Sequence, residues 1–325
     1  MKHLLWLLLF TGIATAADKG DITISTDGKD SAVPERFRLG ATKLPYELKL
    51  KYELKHSGVV VSMLTFPSTV VSPHESNNTV HAEYFQPVNA KNAPAVVVLD
   101  ILDGAQVVSR AQALWLAQHD IPALIVYMAY YGPRRPAGSK ERLICPDVEK
   151  SVGNITQTIK DCRCAFTWLE GRPEVDAKRL GVLGTSLGSF VGGILAGVEP
   201  RVCSACLLLG GGNLVESFAT HPKAKPILEL LETLHIEMAT LKKVIEPVDP
   251  ITYAAALKQK RLLLIGASRD DVVPPVAMKS LWEATGKQKI LWIDETHVGA
   301  ALHMIPMMRA VTTHLAEPTE PRTER

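Results

Sequence analysis

Two kinds of hydrophobic pattern follow one another along the chain. Over residues 46–66 apolar and polar positions alternate, first in Glu47-Leu48-Lys49-Leu50-Lys51-Tyr52-Glu53-Leu54 and then in Gly58-Val59-Val60-Val61-Ser62-Met63-Leu64. A period of two predicts half-buried antiparallel strands. A turn cluster over 73–78 precedes another alternating run over 79–85. From residue 95 the alternation gives way to unbroken apolar runs over 95–99 and 123–127, the signature of strands covered on both faces. Further strands are predicted over 180–185, 202–209, 261–265 and 289–293. Between them the pattern predicts helices over 111–118, 148–170, after residue 186, 276–285 and 300–315. Residues 210–260 carry no strand signal, only helical stretches such as 227–241. Residues 17–44 are polar and rich in Gly and Asp, and are expected to run over the surface; the tail from Glu317 is polar as well.

Strand and helix alternate from residue 95 onward. This predicts an α/β protein: a mostly parallel central sheet with antiparallel N-terminal edge strands and helices on both faces. No internal repeat or interdomain linker interrupts it, so residues 17–325 read as one domain, with an insert at about 211–253. A chain of 325 residues with 46% hydrophobic content can bury a large core. The net charge of +2, with no basic stripe interleaved with aromatics, argues against a nucleic-acid partner.

The first sixteen residues differ in character. Met1-Lys2-His3 is a short basic start, residues 4–13 are apolar, and Ala14-Thr15-Ala16 is a small-residue cleavage signature. We read residues 1–16 as a signal peptide and the mature chain as exported, to a periplasm or beyond the cell. An uncleaved anchor is disfavoured by the short apolar stretch, and no later run is long enough to span a membrane. Five cysteines remain: Cys145, Cys162, Cys164, Cys203 and Cys206. Neither close pair has the geometry of a local disulfide or of convergent zinc ligands. Buried apolar thiols are expected, with one bridge from Cys145 as the alternative.

The chemistry centres on Gly184-Thr185-Ser186-Leu187-Gly188, which joins an apolar run to a helical pattern. A serine on such a strand-to-helix turn is lifted out of the sheet, and the N–H of Leu187 at the helix start faces developing negative charge. A serine needs a base, and the base a third group to orient it. In a parallel sheet these belong in loops beyond the carboxyl ends of strands. Two such loops supply them: one with Asp270 and Asp271, the other with His297. His303 is the rival base, but it falls inside the closing helix; His56, His74, His81 and His119 lie elsewhere.

On these residues the chain resembles the α/β-hydrolase superfamily over roughly residues 45–316. The Gly-x-Ser-x-Gly turn, the Gly266-to-Pro274 loop with its Asp-x-x-Val-Pro and the late His297-x-Gly299 occur in the family's order. The Tyr131-Gly132-Pro133-Arg134-Arg135-Pro136 loop and the short insert look like the dienelactone-hydrolase and acetyl-xylan-esterase branch. The resemblance implies Ser186 as nucleophile, His297 as base and Asp270, ahead of Asp271, as the acid. Dienelactone hydrolases use cysteine where this chain has Ser186, which points to an esterase. The family's second oxyanion donor follows the strand at 95–99. Here that loop reads Asp100-Ile101-Leu102-Asp103-Gly104 in place of the family's His-Gly, and Leu102 is the expected donor, with Ile101 and Asp103 as alternatives. Asp100 and Asp103 must then point away or be paired, because a carboxylate would oppose an oxyanion. Arg134 and Arg135 either bind a carboxylate or sugar or pin their loop. The insert sits where the family places a cap.

The expectation is an exported serine hydrolase acting on a small-molecule or carbohydrate ester through an acyl-enzyme, with no cofactor and no metal. Amide, lactone or thioester substrates on the same triad, and a binding protein on a hydrolase scaffold, are the alternatives.

Overall fold

The alternating N-terminal segments form a meander: β1 (Asp18–Ile24), β2 (Thr42–Leu54), β3 (Val59–Pro67) and β4 (Thr79–Pro87). The unbroken runs form β5 (Ala93–Leu99), β6 (Ala123–Val126), β7 (Val175–Thr185), β8 (Val202–Leu208), β9 (Arg261–Ala267) and β10 (Lys289–Ile293). The structure is a computed structural model and describes residues 17–25, 30–225, 229, 232–233 and 237–318. The signal segment read over 1–16 and part of the helical stretch over 227–241 lie outside the described residues.

All ten strands join one sheet in the order β1-β2-β3-β4-β6-β5-β7-β8-β9-β10. The first four pair antiparallel, and β4 is antiparallel to β6. From β6 to β10 every neighbouring pair is parallel. Among the described residues the helices include α1 (Val107–Ala117), α2 (Val148–Glu170), α3 (Leu187–Val198), α4 (Leu214–Ala219), α5 (Met238–Ile245), α6 (Ala254–Lys258), α7 (Pro275–Ala284) and α8 (Met304–Ala316). Successive residues of a strand face opposite sides, so the central strands feed two cores. Val97, Leu99, Val182 and Leu207 pack against α2 and α3 on one face. Val96, Val98, Leu183 and Cys206 pack against α1 and α8 on the other.

The structure corrects the reading of residues 17–44 as surface chain. Ile22 and Ile24 give β1 a buried face against β2, and Phe37 is fully enclosed. Their period is short and hidden among Asp and Gly. Asp30 anchors the segment: it accepts from the N–H of Leu39 at 3.1 Å and pairs with Arg163 at 2.8 Å. Helix α1 begins four residues before its sequence pattern. Gln106 takes a left-handed φ of 58° and donates its N–H to Asp100 Oδ2 at 2.8 Å, so the helix starts without a sequence-visible cap. All five cysteines are free, and Cys145 forms no bridge. Cys162, Cys164 and Cys206 are buried, and burial pushes their thiols well up.

Arg134 and Arg135 turn out to hold their loop. Arg134 is fully buried; it donates to the carbonyls of Tyr127 (2.9 Å) and Asn77 (2.8 Å) and pairs with Asp161 at 2.7 Å. Ser68 Oγ donates to the other Asp161 oxygen at 2.7 Å. Burial pushes the Asp161 carboxyl up, and Arg134 and Ser68 pull against that. Removing one partner strands a buried charge. Arg134→Met is therefore expected to cost about 3–5 kcal/mol in urea unfolding, and adding Asp161→Leu to recover much of that loss.

Candidate active site

Ser186 caps α3 with φ 53° and ψ −117°, a conformation a side chain adopts only under constraint. The constraint comes from both sides. Its N–H donates to Leu208 O at 2.8 Å, tying it to the end of β8, while its own carbonyl accepts from Ser189 N at 2.9 Å. Two glycines make room. A Cβ on Gly184 would lie 2.0 Å from Gly188 O, and one on Gly188 would lie 2.3 Å from Leu99 O. Leu187 is the first residue of α3, where the helix offers its N–H no acceptor.

Strands β9 and β10 end on the same side of the sheet because they are parallel, with Ala267 opposite Ile293. Beyond them the loops stay zipped: Ser268 N donates to Ile293 O at 2.8 Å and Arg269 N to Glu295 O at 3.1 Å. The Arg269 guanidinium lies 3.0 Å from Asp294. Asp270 and His297 emerge from this clamp face to face. His297 Nδ1 is 2.7 Å from Asp270 Oδ2, and His297 Nε2 is 3.0 Å from Ser186 Oγ. A carboxylate only accepts, so Nδ1 carries the proton and Nε2 accepts from the serine hydroxyl. Asp270 Oδ1 in turn accepts from the N–H groups of Val272 (2.9 Å) and Val273 (2.7 Å), which fix its orientation.

Asp271 does not take that place. Its carboxylate lies 3.4 Å from the backbone N of His297. His303 lies 3.8 Å from Glu295. The loop after β5 is held by Tyr131, which is buried: its hydroxyl accepts from Asp103 N at 2.9 Å and donates to Ile101 O at 3.1 Å. The Asp103 N–H is thereby used. The Asp103 carboxylate pairs with Arg135 at 2.6 Å. Asp100 turns inward to Gln106, and burial raises its carboxyl. Gly104 permits that turn, since a Cβ there would sit 2.2 Å from Asp100 Oδ2.

Ser186 and His297 open into a cavity of about 360 Å³ whose walls include Ile101, Leu102, Val108, Leu208, Met304 and Met307. Sequence reasoning missed four contributors. Gln112 lines the cavity and donates to Thr185 Oγ1 at 2.8 Å; its position four residues after Val108, on the inner face of α1, was the available signal. Tyr131 was visible only as part of a loop. Met304 and Met307 lay in a helix with no mark of function.

The sheet order, the turn at Ser186 and the helices on both faces define the α/β-hydrolase fold. Solved structures share it: an acetyl xylan esterase from a Paenibacillus species superimposes with a TM-score of 0.64 at 16% identity, covering 89% of this chain and 99% of that one. Acetyl xylan esterase 1 from a Thermoanaerobacterium species gives 0.61 at 17% identity, over 87% and 91%. The Pyrococcus furiosus esterase Pf2001 gives 0.56 at 17%, over 82% and 93%. Among curated proteins, the alpha/beta hydrolase domain-containing protein WAV2 of Arabidopsis thaliana is 32% identical over 126 residues, 38% of this chain and 40% of that protein. An uncharacterized protein of Mycobacterium tuberculosis is 25% identical over 205 residues, 60% of this chain and 47% of its own. The matches thus span less than half the length of these curated relatives. No protein-family model matches the chain.

The glycine contacts make a direct prediction. Gly188→Ala is expected to cost at least about 3 kcal/mol in urea unfolding, because backbone cannot yield as a side chain would. Gly153→Ala, on α2 with nothing within 4 Å of its Cβ, is expected to stabilise by roughly 0.5–1 kcal/mol.

Proposed function

We propose that the chain is an exported serine hydrolase that cleaves carboxylic esters. The observation that carries this is the relay from Asp270 through His297 to Ser186 on a constrained turn. Ser186 Oγ attacks the ester carbonyl as His297 Nε2 takes its proton. Asp270 holds the imidazole tautomer and stabilises the imidazolium. The oxyanion is met by the N–H of Leu187 and, from the loop after β5, that of Leu102, with Ile101 beside it. His297 then protonates the leaving alcohol. Water, activated by the same imidazole, releases the acid from the acyl-enzyme.

Esterases among the structural neighbours support an ester over an amide as substrate. Export rests on the leader read over residues 1–16. The segment between β8 and β9 acts as a cap in this reading. Its support is the packing of Leu214 and Phe218 against Phe190 on α3, one turn from the nucleophile. Among the described residues no helix is long and apolar enough to cross a membrane.

Intact-mass analysis tests the proposal. A fluorophosphonate is expected to add once to the wild type and not to Ser186→Ala; a folded wild type that takes no adduct removes the nucleophile. Asp270→Asn is expected to keep the adduct site but lower kcat by about 10⁴, since it favours the wrong tautomer. Asp271→Asn is expected to change kcat less than about threefold, below the effect of losing any group that acts on the reacting atoms.

A further inference from the structure

The cavity at Ser186 does not have the walls of a sugar site. Beyond the serine and His297, its polar side chains are Gln112 and Thr185, and these bond to each other at 2.8 Å. The rest is aliphatic or methionine, with no carboxylate, lysine or arginine in the lining. A hydroxyl-rich ligand would lose water and find few partners, which weakens binding instead of supplying it. The two arginines in the loop after β6 do not alter this, because Arg134 is buried and paired and Arg135 is engaged with Asp103.

The apolar character continues to the outside. Leu102, Val272 and Val298 line the cavity and are still 54%, 45% and 78% exposed. Leu302 and Ile305 follow Val298 at intervals of four and three residues, and both are exposed. Exposed aliphatic side chains gathered at a cavity rim are a common mark of a binding site. Leu102, Val272 and Val298 join this collar to the cavity that contains Ser186.

Resting on the esterase reading, we infer that the substrate is a carboxylic ester with one flexible alkyl arm, seated in this cavity between α1 and α8. A volume of about 360 Å³ matches an arm of roughly six to ten carbons, at the small end of ordinary ligand pockets. An acetyl group on a carbohydrate would leave the cavity empty and the collar wet. Methionines at 304 and 307 suit the inference, since their unbranched side chains adapt to a chain of variable length.

The test is kcat/KM on two series with the full chain. One varies the acyl group, p-nitrophenyl acetate through octanoate; the other varies the alcohol, ethyl through octyl acetate. In one series the value is expected to climb about threefold to fourfold per methylene, and the series that climbs identifies which arm enters. Val108→Trp fills the cavity from α1. It is expected to lower the ratio of the octyl or octanoyl value to the acetyl or ethyl value at least about tenfold. Flat dependence in both series, or acetylated xylan turned over faster than every long-chain ester, overturns the inference while leaving the esterase reading intact. No turnover of any ester together with no fluorophosphonate adduct overturns both.

Discussion

Three backbone segments share a space at the end of the sheet that side chains would fill. Helix α3 presses against the carbonyls of Leu99 and Asp100 at the end of β5, and the turn at Gly184 folds back on Gly188. Only hydrogen-sized side chains allow the approach. Ser186, between the two glycines, is left with a positive φ that the hydrogen bonds to Leu208 and Ser189 hold in place. The same approach brings the N–H of Leu187 and the loop after β5 to one point. The turn that carries Ser186 and the N–H of Leu187 is thus set by one packing contact. Asp270 and His297 are set by an independent one, the clamp between the loops after β9 and β10. The relay exists where these two rigid assemblies meet, 3.0 Å apart at Ser186 Oγ and His297 Nε2.

Buried charge supports the frame from behind. Arg163 joins Asp30, Glu199 and the carbonyl of Phe37, and so fastens the N-terminal segment to α2 and to the end of α3. Burial alone would raise the Glu199 carboxyl, but Arg201 and Arg163 hold it below the ordinary glutamate range. Such a group contributes stability above the unfolded-state pKa and loses it as pH falls through the depressed one. On the other face Glu83 collects Arg110, Lys51 and the hydroxyl of Tyr127, with the same sign. These two carboxylates therefore give up their contribution only as pH falls below the ordinary glutamate range.

Much of this was legible from residue order. Continuous apolar runs against alternating ones separated the parallel core from the antiparallel edge, because burial on two faces leaves no polar position to alternate. The grouping of Ser186, Asp270 and His297 was legible because each follows a strand of the parallel sheet, and the loops there meet. Other features were hidden for physical reasons. Ile22 and Ile24 are two residues in a polar stretch, too few to set a period, yet enough to pair β1 with β2. Asp100 looked like a threat to the oxyanion, and only the packing shows it turned inward to Gln106. Arg134 read as either a ligand contact or a pin for its loop; two of its partners, Asn77 and Asp161, come from distant parts of the chain that no local pattern connects.

The buried thiols carry a consequence for how such a chain must be made. Cys162, Cys164 and Cys206 are enclosed in the two cores and resist ionisation there. Since the thiolate is the form that attacks, these three thiols are sheltered from oxidants and mispairing in the finished fold, whereas Cys145 and Cys203 are only partly buried. The unfolded chain has no such shelter, and its cysteines return to an ordinary pKa of about 8.5. For these three thiols, exposure to oxidants is confined to the interval before the chain collapses. Closing the cores around α2 and β8 is then a race against cross-linking, and the winner is decided by folding rate, not by final stability.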